Sequence, residues 1–259
     1  MSEVNSLLAI TSAQNVMEVA GNPLVQVPEG YRVQDLEDFQ LAPRRIRQRV
    51  TLQSADSFIE YCTRFVTPGS TVLADSEACA LLAVLDYPSA SDLPEWCDHR
   101  ATYQAKLSKA WKIWQKYDGE SLSQEAFAEF LEDRAADIVK PTGGELLEIA
   151  TKFQVIRKAV FGSAIRLATG EFQFNYSDEN DKGTIEVPEI ITLGLAPFHN
   201  GESYEVQARL RYRLREGRLT FTFKLVNPER VVEDAFNSIV KKVKDGVTGA
   251  LVLDAAATI

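Results

Sequence analysis

An α+β fold is what this sequence predicts, on three observations. The C-terminal half holds a long β-hairpin, a run of period-two strands leads into it from Ala159, and the chain before that alternates short strands with amphipathic helices. The hairpin lies in the stretch EVQARLRYRLREGRLTFTFKLV. Val206, Ala208, Leu210, Tyr212 and Leu214 alternate with Gln207, Arg209, Arg211 and Arg213, a period that only a strand sorts onto two faces. Glu216-Gly217 makes a two-residue turn in which Gly217 supplies positive φ, and Leu219, Phe221, Phe223 and Leu225 then alternate with Thr220, Thr222 and Lys224.

The elements follow in order. Residues 1–45 read as an N-terminal arm, because Gly21-Asn22-Pro23, Pro28-Glu29-Gly30 and Ala42-Pro43 break it into short apolar pieces, with one short helix expected around Ser12 to Ala20. Residues 46–246 form a single α+β domain. Ile46 to Leu52 reads as a strand, and Ser54 or Asp56 caps a helix carrying Phe58, Ile59, Cys62 and Phe65. Thr71 to Ala74 and Ala78 to Leu85 are short enough to be buried strands, and His99 to Leu107 alternates as another. Ser108 caps a helix on which Trp111 and Trp114, three apart, share a face. Ser121 or Ser123 starts the next, with Phe127, Phe130 and Leu131 on one stripe and Glu125, Glu129, Glu132 and Asp133 on the other.

A further helix runs from about Glu145 to Lys158, after which the period becomes two. Val160 to Leu167, Glu171 to Tyr176, Thr184 to Val187, Ile190 to Leu195 and the hairpin form strands joined by short turns, which predicts one antiparallel meander with helices on its apolar face. Pro228 opens a last helix, Glu229 to about Lys244. Residues 247–259, a C-terminal tail beginning VTGALVLD, are too apolar to dangle in water, so Leu251, Val252 and Leu253 are candidates for packing on the domain or on a neighbouring copy.

Composition bounds function. The content is 45% apolar and 25% charged, that of an ordinary soluble domain, and the net charge of -9 argues against a protein that coats nucleic acid generally. An odd count of 3 cysteines, widely spaced, favours a reducing compartment over a disulfide framework. The N-terminus MSEVNSLLAITSAQ lacks the basic-then-apolar pattern of a signal peptide and no apolar run is long enough to span a membrane, so a cytoplasmic protein is expected.

Catalytic motifs are weak. Cys97-Asp98-His99 crowds potential metal ligands, but structural zinc needs two spaced pairs, so a turn before a strand is the better reading and no metal is expected. His99 and His199, the 2 histidines, sit in no nucleophile motif, and His199 falls in a turn, Pro197-Phe198-His199-Asn200-Gly201. Thr142-Gly143-Gly144-Glu145 opens a helix without a phosphate-loop pattern, and its acids discourage an anion. Paired acids such as Glu132-Asp133 and Asp178-Glu179 read as solvated surface, and Arg44, Arg45, Arg47 and Arg49 as a solvated strand edge rather than half of an anion patch. No catalytic residue and no cofactor is expected.

The best binding candidate is the ladder Arg209, Arg211, Arg213 and Arg215. Same-face residues on a strand repeat about every 6.6 to 7 Å, near the spacing of backbone phosphates. From Glu205 to Lys224 there are six basic and two acidic residues, whereas Asp118 to Glu148 holds nine acidic and two basic. Self-association of these complementary segments ranks first, ion pairing within the sheet to Glu171, Glu186 and Glu189 second, and nucleic acid third, with Trp111 or Trp114 as an aromatic platform for stacking bases. Aromatics at helical spacing are nonetheless more often core.

The order of WCDHRATYQAKLSKAWKIWQKYDGESLSQEAFAEFLED, IRLATGEFQFNY, GTIEVPEIITLGLAPF and YEVQARLRYRLREGRLTFTFKLVNPERVVEDAF resembles the YfdQ-like family of phage and prophage proteins, over roughly residues 46–240. That family's function is unknown. The resemblance implies a phage or prophage origin and expression in the host bacterial cytoplasm, and brings no catalytic residues. The expected function is a non-enzymatic phage accessory protein that forms a homo-oligomer and acts by binding, in counter-defence or sequestration. The alternatives are a nucleic-acid-binding protein of phage replication or recombination, and an enzyme with a site of scattered acids.

Overall fold

In the computed structural model, residues 16–19, 22–25, 29–30, 40–155, 160–177, 182–216 and 218–256 are described. The chain divides into two units, Met1–Ile46 and Arg47–Ile259. In the first, β1 (Val16–Val19) and β2 (Asn22–Val25) pair antiparallel, Val16 opposite Val25. The helix expected around Ser12 to Ala20 is therefore a strand where it is described. β-branched Val16 and Val19 resist helical χ1 and favour the extended chain once a partner strand lies beside them.

The second unit carries two five-stranded sheets. The first has the order β15-β4-β5-β6-β3, built from β3 (Arg49–Leu52), β4 (Thr71–Asp75), β5 (Ala80–Val84), β6 (Arg100–Gln104) and β15 (Leu251–Asp254). Its three central strands are antiparallel, and the two edge strands, β15 on β4 and β3 on β6, add in parallel. Helices α1 (Ala55–Phe65) and α5 (Pro228–Gly246) cover it, placing Phe58, Cys62, Phe236 and Val243 against Val72, Leu81, Ala101 and Tyr103. Gly246 lets α5 reach α1, since a Cβ there would stand 2.7 Å from Ile59 Cγ2. Cys62 is packing material, its thiol pushed up to about 12 by burial.

The second sheet has the order β7-β14-β13-β12-β8, all antiparallel, from β7 (Leu122–Ser123), β8 (Ile138–Lys140), β12 (Ile190–Leu195), β13 (Tyr204–Arg215) and β14 (Arg218–Leu225). Its apolar face is covered by α2 (Lys109–Lys116), α3 (Gln124–Asp133), α4 (Gly143–Val155) and a separate antiparallel sheet of β9 (Val160–Arg166), β10 (Glu171–Ser177) and β11 (Lys182–Pro188). The single meander expected from the sequence is thus two sheets. The break falls after Pro188, which has no N–H for a ladder, and folding β9–β11 over the second sheet puts Phe172 and Phe174 4.9 and 4.8 Å from the Tyr212 ring. Extending the meander flat would have left those rings wet.

Each helix start matches a side chain. Ser54, rather than Asp56, accepts from Ser57 N, Ser108 from Trp111 N, and Ser123, rather than Ser121, from Ala126 N. α4 starts at Gly143, ahead of the expected Glu145, because Thr142 and Glu145 form a reciprocal capping box: Thr142 N–H donates to Glu145 Oε2 at 2.7 Å and Glu145 N–H to Thr142 Oγ1 at 3.4 Å. The hairpin turn has Glu216 at φ 49, while Gly217, to which the positive φ was assigned, lies outside the described residues.

The layer is held by aromatic stacking. Phe127 of α3 stacks on Phe221 of β14 with centroids 4.4 Å apart, and Phe130 stacks on Phe223 at 5.6 Å. Phe221→Ala should therefore destabilise the protein by about 3–5 kcal/mol in urea unfolding, the range for emptying a buried aromatic site. A loss below about 1 kcal/mol would mean that the layer does not depend on this stack.

Candidate functional site

The open face of the second sheet is its polar, basic face. Along β13 burial alternates without a break from Glu205 to Arg215, so Val206, Ala208 and Leu210 go into the core while Gln207, Arg209, Arg211, Arg213 and Arg215 stand in solvent. Cross-strand register sets Arg209 opposite Lys224, Arg211 opposite Thr222, Arg213 opposite Thr220 and Arg215 opposite Arg218. On the other flank Lys140 of β8 is opposite Thr192 of β12, itself opposite Gln207.

The expected cross-strand acids do not neutralise this ladder. Glu189 pairs with Arg166, Glu186 accepts from Gln173 Nε2 at 3.0 Å, and Glu171 accepts from Thr169 Oγ1 at 3.0 Å. Among the described residues the guanidinium groups of Arg209, Arg211, Arg213 and Arg215 have no ion-pair or hydrogen-bond partner. Lys224 is tied down, 2.8 Å from Asp118 Oδ2, and Asp118 Oδ1 also accepts the Leu225 N–H at 2.8 Å. Adjacent unpaired guanidinium groups repel one another, and the cost is tolerated only because solvent screens them. An acidic surface laid on this face would relieve it.

The acidic segment lies on the far side of the same layer. Since α3 packs Phe127 and Phe130 onto β14, its Glu125, Glu129, Glu132 and Asp133 are turned away from the sheet and exposed. The layer therefore presents arginine on one side and carboxylate on the other.

Trp111 and Trp114 are not a platform for stacking bases. Both are buried to within 1% exposure; Trp114 is edge-on to Phe130 and Phe223, and its Nε1 donates to Asp137 Oδ2 at 2.9 Å. Their helix has eight residues and one apolar face, and that face is the one the sheet needs. The C-terminal tail is an edge strand: Leu251–Asp254 pairs in parallel with β4, Val252 turns toward the core, and Leu251 and Leu253 remain 58% and 41% exposed. Arg49 lies on the other edge strand, exposed.

Cys97-Asp98-His99 is a structural knot. Asp86 accepts the N–H groups of Asp98 and His99 at 2.8 and 2.9 Å, and His99 Nε2 is 2.9 Å from Tyr61 Oη. Among the described residues no cluster of three or more His, Cys, Asp or Glu could hold a metal. Glu132 and Asp133 sit on the exposed face of α3, Asp178 and Glu179 fall outside the described residues, and Glu145 occupies the N-terminus of α4 itself. Among the described residues no helix is long and apolar enough to cross a membrane. His199 is exposed at the lip of a cleft that it shares with Tyr103. Its loop reads in the sequence as a plain turn, and the one signal near it is the lysine spacing in Lys106, Lys109 and Lys112.

The model of the family DUF2303, described as an uncharacterized conserved protein, matches residues 2–253. The chain belongs to the DUF2303 family. The match is longer than the resemblance over residues 46–240, and it carries no phage or prophage assignment. No curated protein and no solved structure is significantly similar to this DUF2303 chain.

Burial holds the His99 imidazole below its ordinary 6.5, partly offset by Asp86. A lowered native pKa means that the fold binds fewer protons than the unfolded chain, so this contribution is complete above 6.5 and is lost as pH falls below it toward the native value. Unfolding midpoints should drop on acidification through this window, and His99→Gln should flatten that slope. An identical slope in the variant would assign the pH dependence elsewhere.

Proposed function

We propose that this chain is a non-enzymatic binding protein of phage or prophage origin, working in the bacterial cytoplasm, that self-assembles by docking the arginine face of one copy on the acidic α3 face of the next. The observation that carries the reading is the row Arg209, Arg211, Arg213 and Arg215, exposed and without ion partners among the described residues, backed across one layer by Glu129 and Asp133. Complementary charge steers such an encounter and fixes its register. Because the two faces point in opposite directions the contact is heterologous, and it closes into a ring or runs on as a filament according to the rotation between copies. The phage origin rests on the resemblance to the YfdQ-like family.

A second reading uses the same strand. The same-face repeat of about 6.6 to 7 Å favours a nucleic acid backbone as occupant. It loses ground because the aromatic partners it needs, Trp111 and Trp114, are in the core.

The two readings separate in solution. Light scattering should give a mass above one chain at about 50 mM salt that falls at about 200 mM, and Arg211→Glu with Arg213→Glu should weaken association at least about tenfold. A single chain at both salt levels, or a mass indifferent to salt and to the substitutions, contradicts the self-assembly reading. In the same salt series, a gel shift of single- or double-stranded DNA abolished by that variant would transfer the face to nucleic acid.

A further inference from the structure

A cleft on the second unit, separate from the arginine face, has the composition of an anion site. Its first compartment is a cavity of about 330 Å³ whose charged lining is Lys106, Lys109 and Lys112, with Gln53 and Gln104 beside them and no carboxylate. Three cations without an acid stand out in a chain of net charge -9. None of the three lysines has an ion-pair partner among the described residues.

The local fold holds these groups in place. Ser108 N–H donates to Pro197 O and His199 N–H to Lys106 O, both at 2.8 Å, and Leu107 bridges Phe198, so the lysine segment and the 197–201 loop form a short two-stranded clamp. Ser108 then caps α2, which places Lys109 and Lys112 three apart on one face of its first turns. Asn200, at φ 58, turns the loop back over the cleft.

Tyr103, His199 and Asn200 line this compartment and also a second one of about 240 Å³. The second compartment is mixed: Phe198 and Ile239 supply apolar wall, Tyr204 Oη donates to Ser238 Oγ at 3.2 Å, and Asp56 is paired with Lys242. Tyr103 is only 5% exposed, yet its hydroxyl has no hydrogen-bond partner among the described residues. Tyr103 lines both compartments, and its hydroxyl, reached by solvent there, can donate to an acceptor in the cavity. Burial first, and Asp56 second, push its pKa up, so the phenol remains a donor.

We propose that the cleft binds a small phosphate-bearing molecule of nucleotide size, with the phosphate on Lys106, Lys109 and Lys112, the organic body against Phe198 and Ile239, and the Tyr103 hydroxyl donating between them. The volumes suit such a ligand, since small-molecule sites typically enclose about 300–1,000 Å³. None of Arg209, Arg211, Arg213 and Arg215 lines either compartment, so this site stands or falls apart from the self-assembly reading.

The test is calorimetric titration of the intact protein with adenosine monophosphate, inorganic pyrophosphate and adenosine in turn. The nucleotide and pyrophosphate should bind saturably, one per chain, and adenosine should not. Lys109→Glu with Lys112→Glu should weaken both at least about tenfold, Tyr103→Phe should weaken the nucleotide severalfold, and Arg211→Glu with Arg213→Glu should change neither. Lys106→Glu alone serves if the double variant fails a circular-dichroism check of folding. Absence of binding by both phosphate probes, or binding that survives the lysine substitutions, would overturn the site. Pyrophosphate binding without nucleotide binding would overturn the two-compartment assignment.

Discussion

The stacking of Phe127 on Phe221 and of Phe130 on Phe223 is the contact on which the rest of the second layer depends. A strand has two faces and no third option, so once Leu219, Phe221, Phe223 and Leu225 are committed to α3 and its neighbours, register commits β13 as well. Val206, Ala208 and Leu210 go in and the arginines go out. The same contact turns α3 so that its acids point away from the sheet. Charge segregation across the layer is therefore a by-product of burying aromatic rings, with dispersion and desolvation supplying the free energy and the charges merely tolerated at the surface. It is also the feature that a neighbouring copy can use.

Much of this was legible in the sequence, for identifiable reasons. Period two over EVQARLRYRL and LTFTFKL admits one local structure, and Ser54, Ser108 and Ser123 are short hydroxyls one residue ahead of apolar helical stripes. The hairpin, the capped helices and the α+β class follow from such short-range patterns. What was missed is long-range. The two residues of β7 and the three of β8 are too short for any period, and exist as strands because β14 and β12 offer them an edge. The division of the meander after Pro188 depends on where Phe172 and Phe174 find other rings, information that is not local.

The candidate sites divide the same way. Arg209, Arg211, Arg213 and Arg215 lie on one strand and could be read from spacing, including their outward direction. Their freedom from Glu171, Glu186 and Glu189 could not be read, because it depends on Arg166, Gln173 and Thr169 engaging those acids first. The cleft draws on Gln53, Tyr103, Lys106, Lys109, Lys112 and His199, brought together only when the 197–201 loop clamps on the segment before α2. Trp111 and Trp114 follow the commoner course for aromatics at helical spacing: the helix face is legible in the sequence, and core rings rather than bases meet it. For the tail the sequence leaves its own domain and a neighbouring copy both open, and β4 in the same chain pairs with it.

The central claim is that opposite faces of one layer recognise each other between copies, and charge reversal tests it most directly. Sedimentation velocity would compare three samples: Arg211→Glu with Arg213→Glu, whose two faces are both acidic; Glu129→Arg with Asp133→Arg, whose two faces are both basic; and their equimolar mixture. The account predicts that each variant alone sediments as a single chain while the mixture regains the assembly. A mixture no larger than its components, or variants that each associate as the unaltered protein does, would contradict it.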